Sequence, residues 1–293
     1  MKGKKISKTY SEYFIPSIKF ALKLFRRTLS HTSARAKKSL AQISRHFTFN
    51  DTLSRWNYLL MEEVFCQSTK PIFLIKKNFR VFDSKIKYRM NLNLSDDLQR
   101  AYYFLNYGQD LLKVIKDNLK KDSVFIDAGA NIGYFSMLAS TIIKDGRILS
   151  FEPASQNYKG LVNNTKQSII KTFRIGLSDR KGYARLYNDL GSSGWHSLKG
   201  AGRYEKIKIA RLDDLKLNLI RIDLIKIDVE RHELEVLRGM KKTILRFHPL
   251  VFCEVDSETE KNVVKFMSRI GYSGRKFEGT KTYDILFMKN ETK

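Results

Sequence analysis

The chain has 293 residues and is 42% hydrophobic, so it can fill the core of one large domain with an appendage. Its formal net charge of +25 predicts attraction to anionic partners such as phospholipid surfaces, nucleic acid or acidic glycans. The two cysteines lack disulfide or metal-site spacing, and no apolar run approaches the ~20 residues of a membrane-spanning helix. No signal-peptide pattern is visible, so we expect a cytoplasmic protein with neither a disulfide framework nor a metal site.

The positive charge is concentrated at the front of the chain. Residues 1–50 contain twelve Lys or Arg and one acid, Glu12, so about +11 of the formal charge lies there. Apolar and basic residues between 14 and 27 recur at helical spacing and predict a basic amphipathic helix within an N-terminal extension, residues 1–66. Such a helix suits peripheral contact with an anionic membrane, and it suits packing on its own domain or a partner equally well. An organelle transit peptide is a third alternative.

Beyond this extension the apolar pattern changes from helical to alternating. In residues 85–93 apolar residues alternate with Lys, Arg and Asn, which is typical of a half-buried strand. Together with residues 72–82, this strand predicts a small antiparallel hairpin. A single helix over roughly residues 98–119 is expected next. Residues 67–120 would then lead into a core at 121–293.

The rest of the chain alternates short apolar segments with helical stretches. Continuous apolar strands alternating with helices predict an α/β fold with a mostly parallel sheet and helices on both faces. Ligands of such sheets gather at the carboxyl ends of the strands. Strands are expected at 123–128, 147–152, 172–176, 223–229 and 250–255, with Asp127, Glu152, Gly176, Asp228 and Glu254 at or near their ends.

The segment FIDAGANIGYF, residues 125–135, places an acid at the end of an apolar strand and then two glycines. Gly129 permits a tight turn, and Gly133 lets the following helix pack closely, so that backbone N–H groups face a ligand. An ordinary strand-to-helix turn would use the same glycines, and the full G-x-G-x-x-G fingerprint is absent. Glu152 makes the pattern more specific, because nucleoside-binding sheets place an acid there to accept hydrogen bonds from both ribose hydroxyls.

Asp127 separates two classes of cofactor. A carboxylate beside the first glycine would repel the pyrophosphate of a dinucleotide, whereas it suits a ligand with an ammonium and a sulfonium group. S-adenosylmethionine carries both groups, so the sequence favours it over a nicotinamide cofactor.

A second acidic segment, LIKIDVERHELEVLRGM, covers residues 224–240. Carboxylates beside a buried strand end are costly unless they bond to something, so we interpret Asp228 as functional. For Glu230, a cap or dipole partner of the following helix is an equally good interpretation. Lys226 lies in the same strand, and we expect its amine to reach outward to solvent. The apolar residues of the helix are expected in the core, namely Val236, Leu237, Met240 and Ile244.

In combination these motifs resemble the FkbM family of S-adenosylmethionine-dependent methyltransferases. VFIDAGANIGYFSMLA, FEP, IARLDDL and LIKIDVERHELEVLRGM with PLVFCEVD occur in the order and spacing of that family, densely over about residues 105–255. The resemblance implies that residues 67–293 form a Rossmann-like class I methyltransferase fold, with an antiparallel last strand at 283–288. It also implies O-methylation of a hydroxyl on a sugar, a glycan or a small metabolite, with S-adenosylmethionine as cofactor.

The resemblance also implies roles for individual residues. Asp228 matches the acid of the family's K-I-D-V-E signature, close to the transferred methyl group. The family usually has glycine where Arg231 stands, so this arginine could narrow the approach to the site or place a cation near an acidic substrate. The implied cofactor-binding residues are Asp127, Gly129, Asn131 and Gly133 at the methionine end, Glu152 at the ribose, and Pro153 with the loop at 176–179, including Ser178, on the adenine side.

An alcohol acceptor is helped by a base. The candidate catalytic residues are Asp228, Glu230 and His196, and His232 is a further candidate base. His196 lies beside Trp195 in the Gly-rich segment 191–202, which we interpret as a mobile lid with a sugar-stacking ring.

Two other functions stay open at this point. The positive charge and the pairing of Lys226 with Asp228 also suit an RNA methyltransferase. However, no RNA-binding module is recognisable and aromatics are not interleaved with the basic run, so we do not expect nucleic-acid binding. The second alternative is a protein that binds S-adenosylmethionine without turnover.

Overall fold

The computed structural model describes residues 74–81, 86–93, 96–104, 107–188, 196–198, 203–277 and 282–291. The amphipathic helix expected at 14–27 and the rest of the extension at 1–66 lie outside these residues. None of the helices in the described ranges combines the length and the apolar character that crossing a membrane requires.

The described part begins with an antiparallel hairpin, β1 (Leu74–Val81) and β2 (Ile86–Asn93), which confirms the prediction from the alternating pattern. Met90 and Leu92 are fully buried, whereas Arg89 and Asn91 are exposed, so the two-residue repeat produces one buried face. The backbone N–H of Asn91 donates to Oδ1 of Asn164 at 2.8 Å. The hairpin is therefore bonded to the core through polar as well as apolar contacts.

Two helices follow where the pattern predicts one. Helix α1 spans Asp97–Phe104 and α2 spans Gln109–Asn118. Gly108 lies between them with a φ of 64°, and a Cβ at this position would come within 2.4 Å of the Phe135 ring. The single-helix prediction is wrong because close packing against this ring requires a left-handed glycine turn.

A seven-stranded sheet forms the centre of the protein, in the order β12-β13-β11-β10-β3-β4-β5. The five strands from β11 to β5 are mutually parallel, and β13 runs antiparallel to β11. This arrangement confirms the Rossmann-like class I methyltransferase fold, including the antiparallel last strand. The elements are β3 (Val124–Ala128), α3 (Tyr134–Ala139), β4 (Arg147–Phe151), α4 (Ser155–Asn164), β5 (Ile170–Phe173), β6 (Gly176–Leu177), β7 (Gly182–Asn188), β8 (His196–Ser197), β9 (Tyr204–Ala210), a 3-10 helix (Leu212–Asp214), β10 (Leu224–Ile227), α5 (Glu233–Gly239), α6 (Lys241–Phe247), β11 (Leu250–Asp256), α7 (Glu260–Arg269), β12 (Tyr272–Lys276) and β13 (Thr282–Lys289).

The central strands are mostly apolar because both of their faces are covered. Every residue of β3 and of β10 is buried, as expected for parallel strands packed between helices. The four residues predicted to form the core face after β10 have exposed fractions of 1% or less, namely Val236, Leu237, Met240 and Ile244. This confirms that the helical spacing marks the face of α5 and α6 that packs on the sheet.

A second sheet interrupts the alternation between β5 and β10, and we call it the accessory sheet. Its order is β6-β9-β7-β8, with β6 parallel to β9 and the other pairs antiparallel. It has a small apolar core of its own. The strand expected at 172–176 ends at Phe173, and Gly176 begins β6 instead. Placing Gly176 at the end of a central strand was therefore wrong, because the chain leaves the central sheet three residues earlier, at Phe173.

Burial on α5 and α6 predicts the effect of truncating two leucines. Leu237 is fully buried, whereas Leu245 is 42% exposed. We expect Leu237→Ala to lower the free energy of unfolding by about 2–5 kcal/mol, because it removes buried methyl groups and leaves a cavity. Leu245→Ala is the matched control and should change it by less than about 1 kcal/mol. Urea unfolding of both variants measures the difference, and equal losses would contradict the assigned packing face.

Candidate active site

The turn after β3 requires its two glycines for steric reasons. Gly129 has a φ of 78°, and a Cβ there would lie 1.8 Å from the carbonyl oxygen of Asp228. Gly133 has a φ of 92°, and a Cβ there would lie 2.8 Å from Thr165 and 2.9 Å from Leu161. A side chain at residue 129 would thus push apart the ends of β3 and β10. The turn is tight because the backbone just beyond β10 lies directly against the end of β3.

Glu152 follows the end of β4 and holds the same turn from the other side. Its exposed fraction is 5%, so the carboxyl group lies inside the protein. Its two oxygens accept hydrogen bonds from the backbone N–H groups of Asn131 and Ala154, both at 2.9 Å. Each oxygen keeps a lone pair that could accept a further bond. Burial raises the pKa of Glu152 to about 7, although the two backbone donors oppose this shift.

Asn131 contributes to this turn through its backbone conformation. It has a φ of 51°, a left-handed value that is several-fold enriched for asparagine among non-glycine residues. Its side-chain Oδ1 accepts a hydrogen bond from the N–H of Ile132 at 2.8 Å. The predicted cofactor-binding residues Gly129, Asn131, Gly133 and Glu152 therefore come together in one compact turn.

Lys226 is the buried cation of the site. Its side chain is 4% exposed, and Nζ lies 3.4 Å from Oδ1 of Asp127 and 3.3 Å from Oδ2 of Asp228. Nζ also donates to the carbonyl oxygen of Gly129 at 2.6 Å. Burial alone would lower the pKa of Lys226, but Asp228 and Asp127 outweigh it and raise the pKa. The expectation that this amine reaches solvent was wrong, because two carboxylates and a carbonyl oxygen satisfy it inside the protein.

Asp127 is completely buried on the far side of Lys226. Its Oδ2 accepts a hydrogen bond from Oγ of Ser136 at 2.6 Å, and this hydroxyl lies 2.7 Å from Oγ of Ser150. Groups from α3, β4 and β10 therefore surround the carboxylate. One cation among the two carboxylates of Asp127 and Asp228 leaves a net negative charge, which suits a sulfonium and opposes a pyrophosphate.

A row of carboxyl groups continues from Asp228 along the edge of the sheet. Glu254 of β11 shares a hydrogen bond with Asp228 and lies directly opposite Asp284 of β13. Burial, and after it Asp228, raises the pKa of Glu254 well above its usual range and the pKa of Asp284 to about 7. The raised pKa of Glu254 favours its protonated form, which can donate to Asp228. The side chain of Asp228 is 23% exposed, so it can be reached from solvent.

Aromatic rings cover this group of charges. The Phe135 ring centroid lies 5.6 Å from Nζ of Lys226. Tyr102 stacks on Tyr134 with centroids 4.4 Å apart, and Tyr107 meets Tyr102 edge-on at 5.1 Å. Burial, followed by the charge of Asp228, raises the pKa of Tyr102 and of Tyr107. Sequence reasoning missed these rings because they precede the cofactor motifs; the tyrosine-rich run YYFLNY at 102–107 was the available signal.

The predicted adenine-side residues lie where the central and accessory sheets join. Pro153 directly follows Glu152 and packs against Gly176 of β6. Ser178 is fully buried, and its Oγ lies 2.9 Å from Nε2 of His232. The other ring nitrogen of His232 lies 3.5 Å from Oε2 of Glu235. His232 is therefore engaged on both sides, by a hydrogen bond with Ser178 and by Glu235, which does not favour it as a base.

The loop after Asp228 has an unusual backbone. Glu230 and Arg231 both have positive φ, of 55° and 69°, and such a value at Arg231 accounts for the glycine that is usual there in the family. The Arg231 side chain pairs with Asp256 at 2.8 Å and with Glu258 at 3.4 Å. Burial, and then Asp228, raises the pKa of Glu230. The cap interpretation of Glu230 was wrong, because α5 begins at Glu233 and its N-cap residue is His232.

His196 belongs to β8, where its backbone pairs with Asn188 of β7. Its side chain lies outside the described part of the structure, as do residues 189–195 with Trp195 and residues 199–202. A base at His196 and a lid at 191–202 therefore stay predictions.

Comparisons with known proteins agree with this geometry. The family model "Methyltransferase FkbM domain" matches residues 127–273. The chain is also 28% identical, over 171 residues, to the hexuronic acid methyltransferase AglP of Haloferax volcanii, covering 55% of this chain and 67% of that protein.

The solved structures that are similar to this chain include two methyltransferases. One is a methyltransferase FkbM from Methylobacillus flagellatus KT, 17% identical with a TM-score of 0.45, covering 90% of this chain and 59% of that one. The other is a precorrin-6y C5,15-methyltransferase from Geobacter metallireducens GS-15, 18% identical with a TM-score of 0.41, covering 63% of this chain and 90% of that one. Both TM-scores are low, so the fold assignment rests on the strand order of the chain itself.

The buried position of Lys226 predicts a large effect of removing its charge. Lys226→Met should lower the free energy of unfolding by roughly 3–5 kcal/mol, because it leaves buried carboxylates without their cation. Adding Asp127→Asn should restore part of the loss, since it removes one of those charges. Lys241→Met, at an exposed position of α6, is the control, with an expected change below about 0.5 kcal/mol. Urea unfolding near neutral pH measures these free energies. If Lys226→Met loses no more stability than Lys241→Met, the pairing of Lys226 with the buried carboxylates is refuted.

Glu152 makes stability depend on pH. Folding raises its pKa from 4.5 to about 7, so its contribution is fully present below the lower value and is lost as pH rises through the upper one. Between pH 5 and 8, the stability of Glu152→Gln relative to wild type should therefore rise by roughly 2–3 kcal/mol. Glu258→Gln is the control, because the side chain of Glu258 is 71% exposed. Unfolding measured at several pH values tests this; a relative stability that stays constant would show that the Glu152 pKa is not raised.

Proposed function

Because this chain belongs to the FkbM methyltransferase family, we propose that it transfers a methyl group from S-adenosylmethionine to a hydroxyl oxygen of a hexuronic acid residue in a glycan. Family membership makes it an S-adenosylmethionine-dependent methyltransferase. The observation that supports a sugar acceptor is the similarity to the hexuronic acid methyltransferase of Haloferax volcanii.

The residues at the carboxyl ends of β3 and β4 fit S-adenosylmethionine. We assign the ribose hydroxyls to Glu152, whose two oxygens each keep a lone pair, and the methionine end to the turn at 129–133. The net negative charge left by Asp127, Lys226 and Asp228 complements a cationic ligand. When bound, this cofactor would supply a methyl carbon made electrophilic by its sulfonium.

Asp228 is the residue that we assign as the base. Its carboxylate is partly exposed, and it is oriented by Lys226 at 3.3 Å and by the hydrogen bond with Glu254. A carboxylate fixed in this way can accept the proton of a hydroxyl as the oxygen attacks carbon. Glu230 is less suited to this step, because burial raises its pKa and favours its protonated form near neutral pH. The enzyme's main contribution is to hold the hydroxyl in line with the methyl group and to limit the access of water.

The test compares methyl transfer to methyl glucuronide and to methyl glucoside, its neutral counterpart. We expect transfer to the glucuronide, and Asp228→Asn should lower kcat by about 10²–10⁴-fold, a larger factor than the loss of S-adenosylmethionine affinity measured by calorimetry. Glu152→Ala should weaken that affinity about tenfold or more, because two ribose hydroxyls lose their acceptor. Asp117→Asn, at an exposed position of α2, is the control.

Three results would count against this proposal. Transfer to the glucoside alone would exclude a uronic acid acceptor. Unchanged kcat in Asp228→Asn would exclude Asp228 as the base. Undiminished cofactor affinity in Glu152→Ala would exclude Glu152 as the ribose acceptor.

A further inference from the structure

The outer face of the accessory sheet is built from tyrosines and cations. Residues alternate across β7 and β9, so every second side chain of each strand points to the same side. Tyr183 is 67% exposed and Tyr204 is 52% exposed, which are large fractions for aromatic residues. Paired across the two strands, the residues of this face are Tyr183 with Lys208, Arg185 with Lys206, and Tyr187 with Tyr204.

The opposite face of the same two strands is buried and holds the sheet in place. Its apolar residues form the small core of the accessory sheet, namely Ala184, Leu186, Ile207 and Ile209. Within β7 and β9, all of whose backbone the structure describes, Glu205 is the one acidic residue. Glu205 accepts hydrogen bonds from N–H and Oγ of Ser155 at 3.0 and 3.1 Å and pairs with Arg174 at 2.6 Å. These strands therefore place no carboxylate on the outer face.

The cations of the outer face lie over its aromatic rings. Nζ of Lys206 is 4.6 Å from the ring centroid of Tyr183, and Cζ of Arg185 is 4.7 Å from that of Tyr204. Tyr187 lies 5.8 Å from Tyr204, which extends the aromatic surface. Such cation–π contacts order long side chains that would otherwise be mobile in water. The result is a pre-arranged surface that presents flat apolar rings and positive charge side by side.

A ligand for such a surface must combine a flat apolar face with negative charge. The pyranose ring of a uronic acid does so, because its C–H groups can pack on a tyrosine ring while its carboxylate binds Arg185 or Lys206. We propose that the outer face of the accessory sheet binds sugar residues of an acidic glycan beyond the one that is methylated. This inference rests on the proposed function, which supplies a uronic acid glycan as acceptor. Single-stranded RNA also carries flat rings and negative charge, and titration with oligouridylate distinguishes it from an acidic glycan.

The anchoring of the accessory sheet connects this surface to the site of methyl transfer. Glu205 binds Ser155, the first residue of α4, which lies three positions after Glu152. A glycan held on the outer face would thus be bound by β9, which Glu205 anchors close to Glu152. Binding of distant sugars then raises the effective concentration of the acceptor sugar at the site.

The experiment is calorimetric titration of the full chain with oligogalacturonate, with a neutral maltooligosaccharide and oligouridylate of matched length as comparisons. Arg185→Ala/Lys206→Ala should weaken oligogalacturonate binding roughly tenfold or more. Lys120→Ala/Lys121→Ala also removes two positive charges, from an exposed turn, and should change the affinity for oligogalacturonate less than about twofold. Tyr183→Ala/Tyr204→Ala should also weaken it roughly tenfold with no change of charge. Unchanged melting temperatures verify that the variants fold.

Three outcomes would overturn the inference. Equal losses in the two double-charge variants would mean that net charge alone attracts the glycan. Unchanged affinity after removal of the tyrosines would mean that the rings take no part. Tighter binding of oligouridylate than of oligogalacturonate, lost in the same variants, would identify the face as an RNA surface.

Failure of this inference is distinguishable from failure of the proposed function. If methyl glucuronide is methylated but the outer-face variants bind oligogalacturonate normally, the inference is wrong and the function stands. If oligogalacturonate binds through the outer face but no uronide is methylated, the function is wrong and the binding surface stands. Where both hold, Arg185→Ala/Lys206→Ala should lower kcat/KM for the oligomer and leave kcat/KM for methyl glucuronide unchanged.

Discussion

A buried ammonium group between two carboxylates determines the geometry of the active site. Lys226 joins Asp127 at the end of β3 to Asp228 just beyond β10, and its bond to the Gly129 carbonyl fixes the intervening turn. Because the backbone of Gly129 also touches the Asp228 carbonyl, the two strand ends have little freedom to separate. The position of Asp228 and the shape of the turn at 129–133 thus depend on one charge.

The acidic edge of the sheet carries less negative charge than its composition indicates. Burial raises the pKa values of Glu254 and Glu230 and brings that of Asp284 to about 7, so that the protonated forms are favoured more than in exposed carboxyl groups. Their protons allow carboxyl groups on adjacent strands to lie side by side without repulsion. Asp228 lies next to Lys226, whose positive charge stabilises an ionised carboxylate.

The sequence predicted the central sheet well, because strands buried on both faces leave an apolar pattern. It also predicted that Gly129 and Glu152 meet at one turn, because their spacing is recognisable, whereas their contacts with a cofactor stay predictions. It did not predict the burial of Lys226, since periodicity identifies a face of a strand but not the carboxylates supplied by its neighbours. The helix break at Gly108 depends on the distant ring of Phe135 and leaves no local pattern. The sequence did not predict the accessory sheet, because tyrosines share the exposed face of its strands with lysine and arginine and weaken the alternation of apolar and polar residues.

The inner and outer faces of the accessory sheet are under different evolutionary constraints. Its inner residues must fill a small core and keep Glu205 bonded to Ser155, so they are tied to the position of α4. Its outward residues support neither that core nor the turn at 129–133. If they bind glycan as proposed, substitutions at these outward positions can change the preference for one polymer over another while the reaction stays the same.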